Sequence, residues 1–171
     1  MTEKDTTLNH EIREITDASL KKSVSIIREA FGAVIGELGI TEENCPRFPA
    51  FTTVADLAEK RDSGARLCGA FADGQQVGVI LVEKEADGRY FAKRLAVLPG
   101  YWHRGLGEKL MARAIECVRD YGAAKINIAI VNEHTILKDW YLGMGFRVIG
   151  VEEISFLPFD VGFLEKEIAY I

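Results

Sequence analysis

The sequence predicts an α/β (α+β) fold, with a mixed, mostly antiparallel sheet of about seven strands flanked by about four helices. Two Asp-Gly pairs, at 73–74 and 87–88, separate three β-rich segments, as the turns of an antiparallel meander do. The next segment has the apolar spacing of a helix, with Leu106, Leu110 and Ala114 on one stripe. An apolar strand comes after it. This strand–helix–strand order normally makes the two strands parallel and adjacent.

The chain before the meander is predicted to be mainly helical. Residues 1–7 are polar and are expected to be disordered. Residues 11–15 alternate polar and apolar side chains, as a short edge strand does. Asp17 or Ser19 can cap the long helix that follows, and Gly32 is the position at which that helix would break.

Residues 39–52 are predicted to form an irregular loop that contains Phe48 and Phe51. Two interpretations of these rings are open. Large apolar side chains usually enter the core, but loops often carry binding residues, so the rings could instead line a lid or an acceptor site. A short helix is predicted after the loop, from Thr53 to Arg61.

The remaining elements alternate between strands and helices, because the period of the apolar positions changes near residue 66. Strands are predicted at 67–71, 77–82, 90–98, 125–131, 146–156 and 161–171. Helices are predicted at 104–121 and 135–142, and Gly122 is a natural stop for the first. Since no repeat or linker interrupts this order, residues 1–171 are expected to form a single domain.

Composition argues against several classes of protein. The 171 residues include 21 Lys and Arg against 26 Asp and Glu, a formal net charge of −5, so no nucleic-acid partner is expected. No apolar run resembles a membrane span or a signal peptide, so no membrane partner is expected. Three dispersed cysteines and three histidines form no zinc pattern, so no metal is expected. Free thiols suit a reducing compartment, and the cytoplasm is predicted.

The stretch from Leu95 to Met111 is predicted to form a strand, a Pro-Gly turn, a glycine-rich bend and a helix start. Gly105 and Gly107 remove Cβ atoms where the helix begins, so a ligand can approach bare amides. These amides lack intrahelical partners and carry partial positive charge, which suits a phosphate. The stretch is not a Walker loop, because no Gly-Lys-Ser/Thr follows. It is not a dinucleotide fingerprint, because Leu110 replaces the third glycine.

Two blocks of sequence resemble the GCN5-related N-acetyltransferase (GNAT) superfamily. The first is Leu-Ala-Val-x-Pro-x-Tyr-x-x-Arg-Gly-x-Gly at 95–107, which resembles the acetyl-CoA-binding motif of that family. The second is Trp-Tyr-x-x-x-Gly-Phe at 140–146, which is similar to the Leu-Tyr-x-x-x-Gly-Phe of the family. The blocks occur in the family order, and the resemblance covers roughly residues 65–157.

The resemblance implies a GNAT-like domain in which acetyl-CoA lies between two parallel strands that splay apart, here those ending at Val97 and Val131. Asn132, after the second strand, could replace the asparagine that the family often has at position 134. The cofactor-binding groups implied are main-chain groups of Leu95, Ala96 and Val97 and amides of Trp102, His103, Arg104, Gly105, Leu106 and Gly107. The Arg104 side chain could bind a phosphate or could be an ordinary solvated arginine.

Tyr141 aligns with the family tyrosine that protonates the departing thiolate, so the resemblance implies that it is the general acid and lines the cofactor site. A phenol with a pKa of about 10 stays protonated at neutral pH until a thiolate appears. A second interpretation is a core position, because Leu137, Trp140, Tyr141 and Met144 share one helical face. The two interpretations are compatible.

The general base stays unassigned by the sequence. Family members often carry a glutamate on one of the two splayed strands, but 90–98 and 125–131 contain no carboxylate. Glu83 and His134 are the first candidates, and Glu85, Glu152 and Glu153 are further ones, each acting through water. The alternative for each carboxylate is a solvated surface residue.

The resemblance therefore implies an acyl-CoA-dependent N-acetyltransferase that moves an acetyl group from acetyl-CoA to a primary amine by direct attack in a ternary complex. The acceptor would be a small-molecule or peptide amine. No cysteine is placed as a nucleophile. The missing strand carboxylates motivate an alternative, a non-catalytic acyl-CoA-binding sensor or regulatory module. A homodimer paired through the C-terminal strands is open.

Overall fold

The computed structural model describes residues 9–169, so the expectation of disorder at 1–7 lies outside the described residues. The strands are β1 His10–Glu14, β2 Arg66–Ala72, β3 Gln75–Lys84, β4 Tyr90–Val97, β5 Lys125–Val131, β6 Arg147–Glu153 and β7 Asp160–Glu167. The helices are α1 Leu20–Gly32, α2 Ile35–Leu38, α3 Val54–Asp62, α4 Leu106–Asp120 and α5 Thr135–Gly143.

The seven strands form one sheet in the order β1-β2-β3-β4-β5-β7-β6. Every neighbouring pair is antiparallel except β4 and β5, which are parallel. The predicted mixed sheet and its parallel pair are therefore confirmed. The last hairpin folds back so that β7, not β6, pairs with β5. Topology places β6 at the far edge, where most of its side chains are exposed.

The helix predicted after residue 17 breaks where expected, because α1 ends at Gly32 and α2 is a separate single turn. Its predicted side-chain cap is wrong: neither Asp17 nor Ser19 makes a cap hydrogen bond, and the Asp17 carboxylate instead pairs with Arg61. Thr53 does cap α3, with a reciprocal bond to Asp56. α4 begins at Leu106, two residues later than predicted.

Helices cover the two faces of the sheet separately. The apolar stripe of α4 packs on one face, where its buried residues meet β2, β3 and β5. α1 and α3 cover the other face through Ile26, Ile27 and Leu57, which pack against Val79 and Leu81 of β3. The two layers bury β2 and β3 almost completely and hold β4 between them.

The loop at 39–52 is anchored by a third apolar cluster. Phe48 is buried there with Ile40 and Ala50, and Phe51 is partly buried against them. Phe159, from the connection between β6 and β7, packs edge-on against Phe48. The core interpretation of Phe48 is therefore correct. No helix within residues 9–169 is long and apolar enough to cross a membrane.

Leu110→Ala should destabilise the protein by about 2–5 kcal/mol, because Leu110 is fully buried between α4 and the sheet and its truncation leaves a cavity. Leu142→Ala is the matched control, since Leu142 is 41% exposed on α5 and should lose less than about 1 kcal/mol. Urea unfolding followed by circular dichroism measures both. Equal losses would contradict the packing of α4 described above.

Candidate functional site

The parallel strands β4 and β5 meet at only one registered pair, Phe91 with Asn127. Beyond that pair they diverge. Ala96 and Val97 stay paired with β3 on one side but have no strand partner on the β5 side. The main-chain groups of this edge are therefore available to a ligand. The splayed strands that the resemblance implied are present.

A bulge in β4 accompanies the divergence. Lys93 lies opposite Leu81 and Ala96 lies opposite Val79, so Arg94 and Leu95 together face one residue of β3. Arg94 has a left-handed backbone, with φ at 53°. This conformation costs a non-glycine residue roughly 1–2 kcal/mol, so the packing around it must hold it. Sequence reasoning missed Arg94, although a charged residue inside a mostly apolar strand was a usable signal.

The start of α4 presents a row of unpaired amides. The N–H groups of residues 103–108 donate no hydrogen bond to any other residue of the described chain. His103 and Gly105 both have left-handed backbones, at φ of 62° and 77°. Left-handed residues in such a bend turn successive N–H groups toward one point, which makes an anion-binding concavity. The Trp102 amide does not belong to the row, because it donates to the Pro99 carbonyl.

Arg104 adds positive charge beside these amides. Its side chain is exposed, and its guanidinium lies 5.4 Å from the centre of the Tyr101 ring. None of the ion pairs among the described residues includes Arg104. A cation resting on an aromatic ring near bare amides is well placed for a phosphate, although exposure weakens each contact.

Gly107 is required by packing rather than only by ligand approach. A Cβ at this position would lie 3.0 Å and 3.1 Å from two ring atoms of Trp140. The Trp140 indole N–H also donates to the Glu108 carboxylate, at 3.0 Å. The second glycine of the motif therefore lets α5 approach the first turn of α4. Gly105, with open space around it, is needed for its positive φ.

Trp102 contacts the strand edge through its side chain. Its indole N–H donates to the Val97 carbonyl at 2.6 Å, and the residue is 48% exposed. One of the β4 groups that the resemblance assigns to the cofactor is therefore already bonded within the chain. No local sequence pattern predicts this contact, because it depends on how the turn after β4 folds back.

Tyr141 lies on α5 in the apolar cluster on the α4 side of the sheet, against which Leu95 and Val97 also pack. Its ring meets Phe146 and Trp140 edge-on. Its hydroxyl makes no hydrogen bond to any residue between 9 and 169. Burial raises the pKa of Tyr141 above its ordinary value, so the phenol is fully protonated at neutral pH.

The Glu83 carboxylate is held by two lysines. It accepts hydrogen bonds from Lys60 at 2.9 Å and from Lys93 at 2.6 Å, and Lys93 also pairs with Glu85. Burial raises the pKa of Glu83, but the hydrogen bonds from Lys93 and Lys60 outweigh it, so the net pKa is below the usual range. A carboxylate stabilised in this way is a weak proton acceptor.

The remaining candidates for the base are engaged or distant. The Nδ1 atom of His134 accepts from the Leu137 amide at 3.2 Å and so caps α5. Glu152 and Glu153 are exposed on β6, and β7 separates that strand from β5. The Asn132 side-chain oxygen accepts from Lys138 at 2.7 Å. Within residues 9–169, no group of three or more His, Cys, Asp or Glu could hold a metal ion.

The model of the Acetyltransferase (GNAT) family matches residues 33–146, more than half of the chain. The chain therefore belongs to the GNAT family, as the two sequence blocks indicated. No curated protein sequence matches it at a significant level.

Solved structures show the same fold. The match to PaiA N-acetyltransferase from Thermoplasma acidophilum, in complex with coenzyme A, spans 94% of this chain and 99% of the PaiA chain, with a TM-score of 0.77 and 20% identity. The ribosomal-protein-S18-alanine N-acetyltransferase from Escherichia coli covers 95% and 96%, with a TM-score of 0.74 and 15% identity. YncA from Salmonella typhimurium, solved with acetyl-CoA, covers 95% and 96%, with a TM-score of 0.69 and 18% identity.

Gly107→Ala should destabilise the protein by about 1–3 kcal/mol, because the added methyl meets the rigid Trp140 ring. Gly143→Ala is the matched control: its Cβ would enter open space at the end of α5, and alanine favours a helix, so a change within about 1 kcal/mol is expected. Thermal unfolding compares the two. If both variants melt alike, the contact between α4 and α5 is looser than described.

Proposed function

We propose that this protein is an N-acetyltransferase that transfers the acetyl group of acetyl-CoA to a primary amine. The row of unpaired amides at residues 103–108, directly after the unpaired edge of β4, is the observation that carries the proposal. The helix start supplies donors for a pyrophosphate, and the edge of β4 supplies main-chain groups for an amide-containing arm. Coenzyme A has both parts.

Different groups of the chain would bind different parts of coenzyme A. The amides of His103, Arg104, Gly105, Leu106 and Gly107 would hold the pyrophosphate, and Leu95, Ala96 and Val97 would bind the pantetheine arm. The Trp102 indole occupies one of the two lone pairs of the Val97 carbonyl, and the pantetheine arm would displace the indole when it binds there. PaiA and YncA, whose structures contain coenzyme A and acetyl-CoA, share the fold and support the choice of substrate.

The proposed reaction is direct transfer. The neutral amine attacks the thioester carbonyl, so that a C–N bond forms and the C–S bond breaks. Tyr141 gives its proton to the departing thiolate and regains one, through water, from the nitrogen that has become an amide. Because Glu83 is bound by lysines and His134 caps α5, the acceptor would lose its ammonium proton to solvent before it attacks.

The acceptor is proposed to be a small-molecule or peptide amine. The S18-alanine enzyme from E. coli acts on a protein, by its name, and shares only the fold with this chain. The free thiols of Cys45, Cys68 and Cys117 support a reducing, cytoplasmic location.

Tyr141→Phe should lower kcat by about 10²–10⁴-fold, because the substitution removes the proposed general acid and keeps the ring. Affinity for acetyl-CoA should change little. Tyr121→Phe is the matched control, since Tyr121 is 43% exposed at the end of α4 and takes no part in the proposed reaction. Thiol release across an amine library measures turnover.

Unchanged turnover in Tyr141→Phe would remove Tyr141 from the mechanism. Tight acetyl-CoA binding with no acetylated amine would favour a non-catalytic sensor instead. This alternative is considered because β4 and β5 contain no carboxylate.

Trp102→Phe should tighten coenzyme A binding by up to about fivefold, because the phenyl ring cannot donate to the Val97 carbonyl and the ligand no longer has to break that bond. Wild-type fluorescence should change on titration with coenzyme A. The chain has two tryptophans, so Trp140 remains as an internal reference in the variant. A fluorescence change that persists fully in Trp102→Phe would assign it to Trp140 and contradict release of Trp102.

A further inference from the structure

Two arginines converge on Thr52, on the face of the sheet opposite α4. The Arg94 Nε donates to the Thr52 hydroxyl at 3.1 Å, and an Arg28 Nη donates to the Thr52 carbonyl at 3.3 Å. Thr52 is buried and its hydroxyl donates to the Pro49 carbonyl, so it is a fixed anchor for both side chains. The two Nη atoms of Arg94 make no hydrogen bond to any described residue.

The charge on Arg94 is not neutralised inside the described chain. No carboxylate of residues 9–169 lies within 4.0 Å of the nitrogens of Arg94 or Arg28. Glu83 and Asp56 attract Arg94 only from longer range. Glu83 is held by lysines, and Asp56 accepts from the Thr53 amide at the start of α3.

Burial makes this arrangement unfavourable in the free protein. It lowers the pKa of Arg94 below its usual range, because the guanidinium has lost more solvation than the distant charges of Glu83 and Asp56 replace. The left-handed φ of 53° adds backbone strain at the same residue. Lost solvation and backbone strain both destabilise the free protein at this one residue. We infer that Arg94 binds a group that the chain itself does not provide.

The position of Arg94 indicates what that partner is. Its neighbour Leu95 begins the unpaired edge at which the thioester would lie, and the phosphate-binding amides of α4 belong to the opposite layer. The Arg94 side chain points toward Thr52 and α1, on the side of the sheet away from α4 and from the proposed phosphate site. A ligand held there would place its other end close to the reacting carbonyl.

We propose that Arg94, with Arg28 beside it, binds an anionic oxygen group of the acceptor, so that the substrates are amines that also carry a carboxylate or a phosphate. The proposal rests on the acetyltransferase function and specifies its substrate class. The free Nη pair of Arg94 presents the parallel N–H groups that either oxyanion accepts. Such a substrate differs from the cationic amine that the net charge of −5 would suggest.

Matched acceptors test the proposal: glycine, β-alanine and glutamate against their amides, and phosphoethanolamine against ethanolamine. Wild-type protein should show a kcat/KM at least about tenfold higher for the anionic member of at least one pair. The set of pairs with the larger preference, the carboxylates or the phosphate, identifies the anionic group that the site binds.

Arg94→Gln should raise the acceptor KM by about 10–100-fold and abolish the preference, while the KM for acetyl-CoA changes less than about twofold. Arg28→Gln changes an exposed position and keeps Arg94, and it should raise the acceptor KM by about 3–10-fold. Because this variant is expected to fold normally, it guards against a folding defect in Arg94→Gln. Arg119→Gln removes the same charge from the exposed end of α4 and should leave all values unchanged.

Acetylation of the neutral members at rates equal to the anionic ones would overturn the substrate class and leave the acetyltransferase function in place. A preference that survives Arg94→Gln, in protein that still binds acetyl-CoA, would also overturn it. If acetyl-CoA binds but no member of any pair is acetylated, the substrate class fails, and the amine library decides separately whether the acetyltransferase function holds.

Discussion

β4 cannot pair with β5 beyond Phe91 and Asn127, and the rest of the site depends on that constraint. The bulge at Arg94 and Leu95 bends the strand while its pairing with β3 resumes at Ala96. Because helices cover both faces of the sheet, the unpaired edge is held in place instead of collapsing onto its neighbour. An open edge inside a packed domain is the physical requirement for a long, amide-containing ligand.

The two faces of the sheet carry different groups of the candidate site. On the α4 side, the helix start supplies unpaired amides, and the packing of Trp140 on Gly107 fixes the direction in which they point. On the α1 side, Thr52 holds two guanidiniums next to the bulge. A ligand with phosphates at one end and a reactive carbonyl at the other would bridge the sheet through its open edge, so the strand divergence separates cofactor and acceptor without a second domain.

Net charge describes this surface poorly. The acidic excess of the chain is partly consumed in local pairs, of which the cluster of Glu83 with Lys60 and Lys93 is the most enclosed. Arg94, which directly follows Lys93 in β4, has no such partner among the described residues. Local pairing, rather than the sum of charges, sets which ions a cleft attracts, since desolvated charges interact strongly and exposed ones are screened.

The sequence by itself determined the sheet, the helices and the bend of bare amides before α4, because the apolar period, the Asp-Gly turns and the glycines of the bend are local signals. It also placed Tyr141 on a helix, which the structure has as α5. Only the tertiary structure decided that Gly107 serves Trp140, that Trp102 bonds Val97, and that Arg94 is unpaired. These facts depend on contacts between residues far apart in the chain, which no local pattern encodes. The tertiary structure also decided that Glu83 is a poor general base. Its hydrogen bonds with two lysines lower its pKa, and the residue type alone does not show this.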